Sequence, residues 1–299
     1  MRSWSERIRV DGGEADLVRA LRAVRPAAER LEATQFEVIV AAAFQAWAEA
    51  GVRVAAVEAG LGGRLDATNV VDAPVVVLTN VDLDHTELLG ETRELIAAEK
   101  LAVVPPGATV VVGEPEWERL ARASGAGTVI IGDGTRPLDL AVRAVEAYLG
   151  RPVDSEPAAR VRLPGRLERR GSAPQELWDG AHNPAGVRYL VEWLPAGTRF
   201  VVCTSILADK GSDEMLALLV RAGSTLVATC SSNPRALPAG ELARRAAAVG
   251  FAEVEAVAGP RAALARARAL AGPAGAVLVT GSLYLLADLA ADGGAPGPL

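Results

Sequence analysis

Short, mostly apolar runs recur along this chain, opening into polar turns, several of them glycine-bearing, and then into stretches of helical periodicity. That rhythm limits the possible folds more than any other feature. Residues 52–57 lead into Glu58-Ala59-Gly60-Leu61-Gly62-Gly63, residues 75–80 into Val81-Asp82-Leu83-Asp84-His85, and residues 176–178 into Asp179-Gly180-Ala181-His182-Asn183-Pro184. Residues 276–280 open in the same way into Gly281-Ser282. Near-continuous apolar runs mark strands buried on both faces. Their alternation with helical patterns from 52 to 131, restarting in the second half, predicts doubly wound parallel sheets. In such sheets ligands meet the carboxyl ends of the strands, where these turns lie.

The first turn is the densest. Gly60, Gly62 and Gly63 allow positive φ and close backbone approach, and Arg64, Asp66, Thr68 and Asn69 crowd polar groups behind them. The turn serves either as a ligand cradle or as a plain chain reversal. Glu58 and His85 each stand just past a strand end. An acid and an imidazole beside one crevice suit a divalent cation, Mg2+ by the acid and zinc by the imidazole, and an exposed loop histidine is the other reading.

At 299 residues the chain is long enough for two domains with separate cores. A net charge of −6 argues against a broad nucleic-acid surface and for a soluble protein. The apolar stretch 38–48, bracketed by Glu37 and Glu49, is too short to cross a bilayer, and the first seven residues lack the apolar core of a secretion signal. A cytoplasmic protein is expected. Cys203 and Cys230 sit in strand-like settings, as buried thiols rather than a disulfide frame. Among 31 basic residues only Lys100 and Lys210 are lysines, and His85 and His182 are the only histidines. Lysine retained at those points supplies an amine that guanidinium cannot replace, or is there by chance.

In chain order, residues 1–13 predict a strand and turn, with 7–10 alternating, and residues 14–24 a helix ending before Pro26. Thr34 and Glu37 stand at capping-box spacing before a helix running to Ala50, with a ligand role equally open. A helix over 91–100 ends at Lys100, where a cation complements the helix dipole. A strand at 109–112 and a helix at 138–149 close the first half. The expected divisions are a domain over 1–163, a hinge over 164–171 punctuated by Pro164 and Gly165, and a domain over 172–299. Arg166 in the hinge reaches a phosphate or faces solvent. In the second half Asp179 is placed to accept ribose hydroxyls and His182 to meet a carboxylate or phosphate. Strands are predicted at 200–203, 226–229 and 276–280, and disorder over 292–299.

Taken together, residues 58–69, Leu83-Asp84-His85, Ala98-Glu99-Lys100, residues 163–168, Asp179-Gly180-Ala181-His182-Asn183-Pro184, Asp209-Lys210 and Gly281-Ser282-Leu283-Tyr284 resemble the folylpolyglutamate synthase and dihydrofolate synthase family of Mur-type ligases. The resemblance implies an α/β, Mur-ligase-like fold: an incomplete P-loop-type parallel-sheet ATPase domain followed by a Rossmann-like C-terminal domain. It also implies ATP-dependent ligation of L-glutamate to dihydropteroate or tetrahydrofolate by way of an acyl phosphate, with ATP and Mg2+ required. By motif, Glu58 and His85 would hold Mg2+, with Lys100 a carbamylated lysine supporting it. Thr34, Gln35, Phe36, Glu37, Leu65, Asp66 and Ala67 would face the pterin. Arg166 and Asp179 would hold ATP, His182 and Ser282 would orient glutamate, and Lys210 would act electrostatically. A monomer that binds only small molecules, with no nucleic acid and no membrane, is the family expectation.

Two departures accompany the resemblance. No Gly-x-x-x-x-Gly-Lys-Ser/Thr occurs in the sequence, whereas the family opens with one, and no asparagine stands near Pro137. The expectation is a late annotated start or an inactive relative, with exposed strand edges in the first domain.

Overall fold

The computed structural model describes residues 5–291, so the predicted disorder at 292–299 lies outside the described residues. The chain divides into two compact units, one spanning Arg7–Val161 and the other running from Arg162 onward and including Ser5 and Glu6.

The N-terminal unit opens with a hairpin of β1 (Arg9–Val10) and β2 (Gly13–Glu14). Asp11 and Gly12 between them both take positive φ, as a two-residue Asp-Gly turn requires. Helix α1 (Leu17–Arg30) follows, capped by the Asp16 carboxylate, and packs against α2 (Gln35–Glu49). The expected helix end before Pro26 is wrong, because α1 continues through it. Proline withdraws only its own N–H, and Ala27 and Ala28 accept from Leu31 and Ala33 to keep the last turn closed. At the head of α2 the capping box forms in full: Glu37 N–H reaches Thr34 Oγ1 at 3.4 Å and Thr34 N–H reaches Glu37 Oε2 at 2.7 Å.

Three parallel strands follow in the order β3 (Val75–Leu78), β4 (Thr109–Val112) and β5 (Thr128–Ile131). Between and after them lie α3 (Thr86–Leu89), α4 (Arg93–Leu101), α5 (Glu118–Ala123), α6 (Pro137–Leu149) and α7 (Glu156–Ala159). Val110, Val111 and Val112 of the central strand are fully buried, while Val77 and Ile131 on the flanking strands are 39% and 41% exposed. The strand expected over 52–57 does not form. Those residues are irregular, with Val54 and Val57 exposed, since β3 ends the sheet and no described strand pairs with them. An extended apolar run becomes a strand only when a neighbour takes its backbone hydrogen bonds.

The C-terminal unit holds a six-stranded sheet in the order β10-β9-β8-β11-β7-β6. In chain order its elements are β6 (Glu168–Arg170), β7 (Gln175–Trp178), α8 (Pro184–Glu192), β8 (Phe200–Thr204), α9 (Ser212–Leu219), β9 (Thr225–Ala228), α10 (Ala239–Ala248), β10 (Glu253–Ala256), α11 (Pro260–Ala271), β11 (Ala276–Thr280) and α12 (Leu283–Ala290). All pairs are parallel except β6 with β7. Successive side chains divide between two cores. Phe200, Val202, Leu226 and Leu278 pack with α8, α9 and α10, while Val201, Cys203, Val227, Val277 and Val279 pack with α11 and α12. This period-two division across a helix-covered sheet is the doubly wound arrangement. β6 and β10 had not been expected, because they sit at the sheet edges and carry Glu168-Arg169-Arg170 and Glu253-Val254-Glu255, too charged to stand out as strands.

Candidate functional site

In the N-terminal unit the glycine turn is tied together by one carboxylate. Asp66 Oδ2 accepts from the Gly60 and Leu61 amides at 2.9 Å each, and Oδ1 accepts from the Thr68 amide at 2.9 Å and the Thr68 hydroxyl at 2.5 Å. Burial pushes the Asp66 carboxyl up, but the hydrogen bonds from Thr68, Leu61 and Gly60 outweigh it and hold the group below the usual carboxylate range. The turn is anchored from outside as well. Glu99 of α4 accepts from the Arg64 amide at 3.0 Å and from its guanidinium at 3.3 Å. A Cβ on Gly63 would strike the Glu99 and Lys100 carbonyls, and one on Gly60 would strike the Phe36 ring. Glycine is therefore required at 63 by the close approach of rigid backbone, while a side chain at 60 would have to displace the Phe36 ring.

The structure thus brings Phe36, the Asp66 turn and the Lys100 backbone together. Leu65 is 92% exposed, Ala67 is partly buried, and Gln35 is exposed at the start of α2. Thr34 and Glu37 spend their side chains on each other and on the helix cap, and these hydrogen bonds lower the Glu37 carboxyl. Lys100 lies half-buried in the last turn of α4.

Glu58 is exposed within the irregular segment after the second helix. His85 takes left-handed backbone angles (φ 53°) ahead of α3, with Asp84 and Glu87 carboxylate oxygens each 3.9 Å from a ring nitrogen. Among the described residues no group of three or more His, Cys, Asp or Glu side chains converges on a cation position. What positions the chain ahead of His85 is Glu114, which sequence reasoning missed. It accepts from the Val81 amide (2.8 Å), the Arg93 guanidinium (2.7 Å) and the Trp117 indole (2.7 Å), while Arg93 also donates to the Val81 carbonyl. Nothing in the spacing of Glu114 sets it apart. Glu99, also missed as an anchor, was visible beside Lys100.

In the C-terminal unit the corresponding carboxylate is Asp179, buried at the end of β7. It accepts from the Leu167 and Ala181 amides at 2.8 Å each, and the Gly180 amide donates to the Gly165 carbonyl at 2.8 Å. Segment 165–167, which carries Arg166, is thereby held against the 179–184 turn. Burial raises the Asp179 carboxyl; the two amides and the charges of Arg166 and His182 offset this only in part. His182 Nδ1 lies 3.0 Å from the Gly180 carbonyl, an acceptor only, so Nδ1 carries the proton and Nε2 faces elsewhere. Asn183 caps α8 through Gly186, and buried Ser282 caps α12, accepting from Tyr284 at 3.1 Å. Gly281 (φ 98°) leaves no room for a side chain against Thr204 and Ser205. Lys210 sits in the turn after β8, beside the Asp209–Arg235 ion pair. The residues predicted at 166, 179 and 182 therefore form one cluster, with Ser282 at the end of the neighbouring strand β11. The cysteines differ from each other: burial pushes the Cys203 thiol up to about 12, whereas Cys230 is only partly buried, contrary to the expectation of two buried thiols.

A parallel sheet with capped glycine turns at its strand ends, closed by helices on both faces, defines a class. Residues 165–283 match the Mur ligase, glutamate ligase domain. Over the longer chain, the dihydrofolate synthase/folylpolyglutamate synthase of Mycobacterium tuberculosis is 32% identical, covering 81% of this chain and 65% of its own length. The folylpolyglutamate synthase of Lacticaseibacillus casei is 30% identical, covering 79% and 69%. Among solved structures, the bifunctional folylpolyglutamate synthase/dihydrofolate synthase of Yersinia pestis, complexed with AMPPNP and an Mn ion, superposes with a TM-score of 0.85 at 27% identity, covering 96% of this chain and 78% of that one. The chain belongs to the dihydrofolate synthase/folylpolyglutamate synthase family. It spans just under two thirds of the length of the mycobacterial relative.

Proposed function

We propose that the chain performs the ligation its family is named for, adding L-glutamate to dihydropteroate, to tetrahydrofolate, or to both. The carrying observation is the Asp179 clasp, which holds Arg166 over the turn bearing His182. In this reading the pterin-bound carboxylate attacks the γ-phosphorus of ATP and ADP leaves. The glutamate amine then attacks the acyl carbon, phosphate departs, and the amine gives up a proton. Arg166 and Asp179 bind the nucleotide, and His182 and Ser282 orient glutamate. Phe36, with Thr34, Gln35, Glu37, Leu65, Asp66 and Ala67, forms the pterin side. Lys210 adds positive potential.

Glu58 and His85 would hold a divalent cation of the Mg2+ type, an ion that takes few protein ligands and completes its shell with waters and substrate oxygens, since among the described residues no group of three or more His, Cys, Asp or Glu side chains gathers. When bound it offsets the repulsion between substrate carboxylate and phosphate. Lys100, as a carbamate formed with CO2, would support it. The domains of this reading are 1–163 and 172–299 in a cytoplasmic monomer, with 164–171 between them, of which Glu168–Arg170 pairs with β7 of the C-terminal sheet as β6. Among the described residues no helix is long and apolar enough to cross a membrane.

A second reading, binding of pteridine or nucleotide without turnover, is favoured by one observation: residues 53–57, and Glu58 after them, are exposed and belong to no described strand. Phosphate release from ATP by the purified chain separates the two. Release that depends on both glutamate and a pteroate or folate acceptor, and falls at least a hundredfold in Asp179→Ala, supports ligation. Saturable binding of ATP or pteroate with no release supports the second reading.

A further inference from the structure

At the β6–β7 edge of the C-terminal unit a cleft of about 410 Å³ opens between the sheet and helices α11 and α12. Its lining includes none of Arg166, Asp179, His182 and Ser282. We infer that this cleft is a second binding site, for a compact polyanion carrying several closely spaced phosphate or carboxylate groups. The inference does not depend on the ligase reading.

Three guanidinium groups, Arg170, Arg261 and Arg268, line the cleft. Arg268 grips the buried Glu176 carboxylate with two bonds, 2.7 and 3.1 Å, and Trp178 Nε1 adds a third donor at 3.0 Å. These three bonds hold Glu176 and fix Arg268 in place. Arg170 donates to Glu168 at 2.8 Å and lies over the Trp178 ring, 4.1 Å from its centroid, while Arg261 donates to the Ala291 carbonyl. Each guanidinium has five N–H donors in a rigid fork, so these contacts use a minority of what the three supply. Among the described residues two carboxylates, Glu168 and Glu176, stand against three guanidinium groups, and the surplus is positive in a chain whose net charge is −6.

The ring geometry narrows the ligand class. One face of Trp178 is already covered by Arg170, so the cleft floor presents a guanidinium rather than a stacking platform for a nucleobase. Leu264 and Leu289 wall the cleft without polar groups that would read a sugar. Forked donors on a preformed base suit oxyanions, which phosphate chains and oligocarboxylates share.

Calorimetric titration of the Arg166→Ala protein with sodium tripolyphosphate, and separately with a glutamate tetrapeptide, tests the site away from the proposed nucleotide position. The expected result is saturable binding of at least one of them, and whichever binds names the source of the anion. Affinity should fall at least tenfold in Arg261→Glu, a change that suits the N-terminus of α11 and keeps the protein folded. Arg170→Met should weaken binding to a similar extent. Absence of binding in the Arg166→Ala protein, or binding that survives both Arg261→Glu and Arg170→Met, overturns the inference.

Discussion

Asp66 and Asp179 are both carboxylates buried in glycine turns, yet ionisation affects them in opposite directions. Four donors to Asp66 outweigh its burial, so its folded-state pKa lies below the unfolded value of about 3.9. The stability it contributes is fully present above that value and is lost as pH falls through the lower folded value. Asp66→Asn should cost about 1.5–3 kcal/mol at pH 7, with the gap to wild type closing toward acid; a gap that widens on acidification contradicts the assignment. Asp179 is shifted upward by burial, with only two amides and the nearby Arg166 and His182 side chains to offset it. Its ionised form is the costly one, so its contribution is greatest below the unfolded pKa and erodes as pH rises through the folded value. Asp179→Asn should therefore gain on wild type as pH rises above the unfolded value of about 3.9 in a thermal melt series. Both aspartates were legible in the sequence as members of polar turns. Their backbone partners, Gly60 and Leu61 for one and Leu167 and Ala181 for the other, were not assigned, because a backbone amide donates without a side-chain signature.

At the scale of elements, the glycine turn and the C-terminal end of α4 behave as one part. Gly63→Ala would drive a methyl group into the Glu99 and Lys100 carbonyls, a rigid obstacle, and should destabilise the fold by about 1–3 kcal/mol in urea titration. Thr34→Ala, which removes one half of a fully formed capping box, should cost about 1 kcal/mol. If the pterin reading is right, the same Thr34→Ala change will also raise KM for the pteroate substrate, whereas a purely capping role leaves KM alone. Helix α2 was predicted nearly to the residue because its cap is written locally. The expected end of α1 before Pro26 falls short because the later turns of that helix hold without the proline N–H. The segment 52–57 shows the complementary failure: β-branched residues declare a preference for extended backbone, but strand formation belongs to the pair.

For the whole molecule, the two units differ in how completely they bury their apolar surface. The C-terminal sheet has a closed core on each face. The N-terminal unit exposes Val54, Leu65, Val70, Leu83, Leu88 and Leu95, each by more than half. Expressed separately, residues 162–299 should unfold in one cooperative urea transition and bind little 1-anilinonaphthalene-8-sulfonate. Residues 7–161 should bind that dye strongly, and equal dye binding by the two fragments would contradict this account.

The class of fold, the succession of strand, turn and helix, and the identities of the glycine turns were determined by sequence alone, since periodicity, caps and glycine conformations are settled over a few residues. Tertiary structure alone decided which apolar runs became strands, which carboxylates were saturated by amides, and how Arg170, Arg261 and Arg268, dispersed along nearly a hundred residues, came to line one cleft. Those outcomes depend on hydrogen-bond partners and desolvation supplied by distant segments, and no local pattern encodes them.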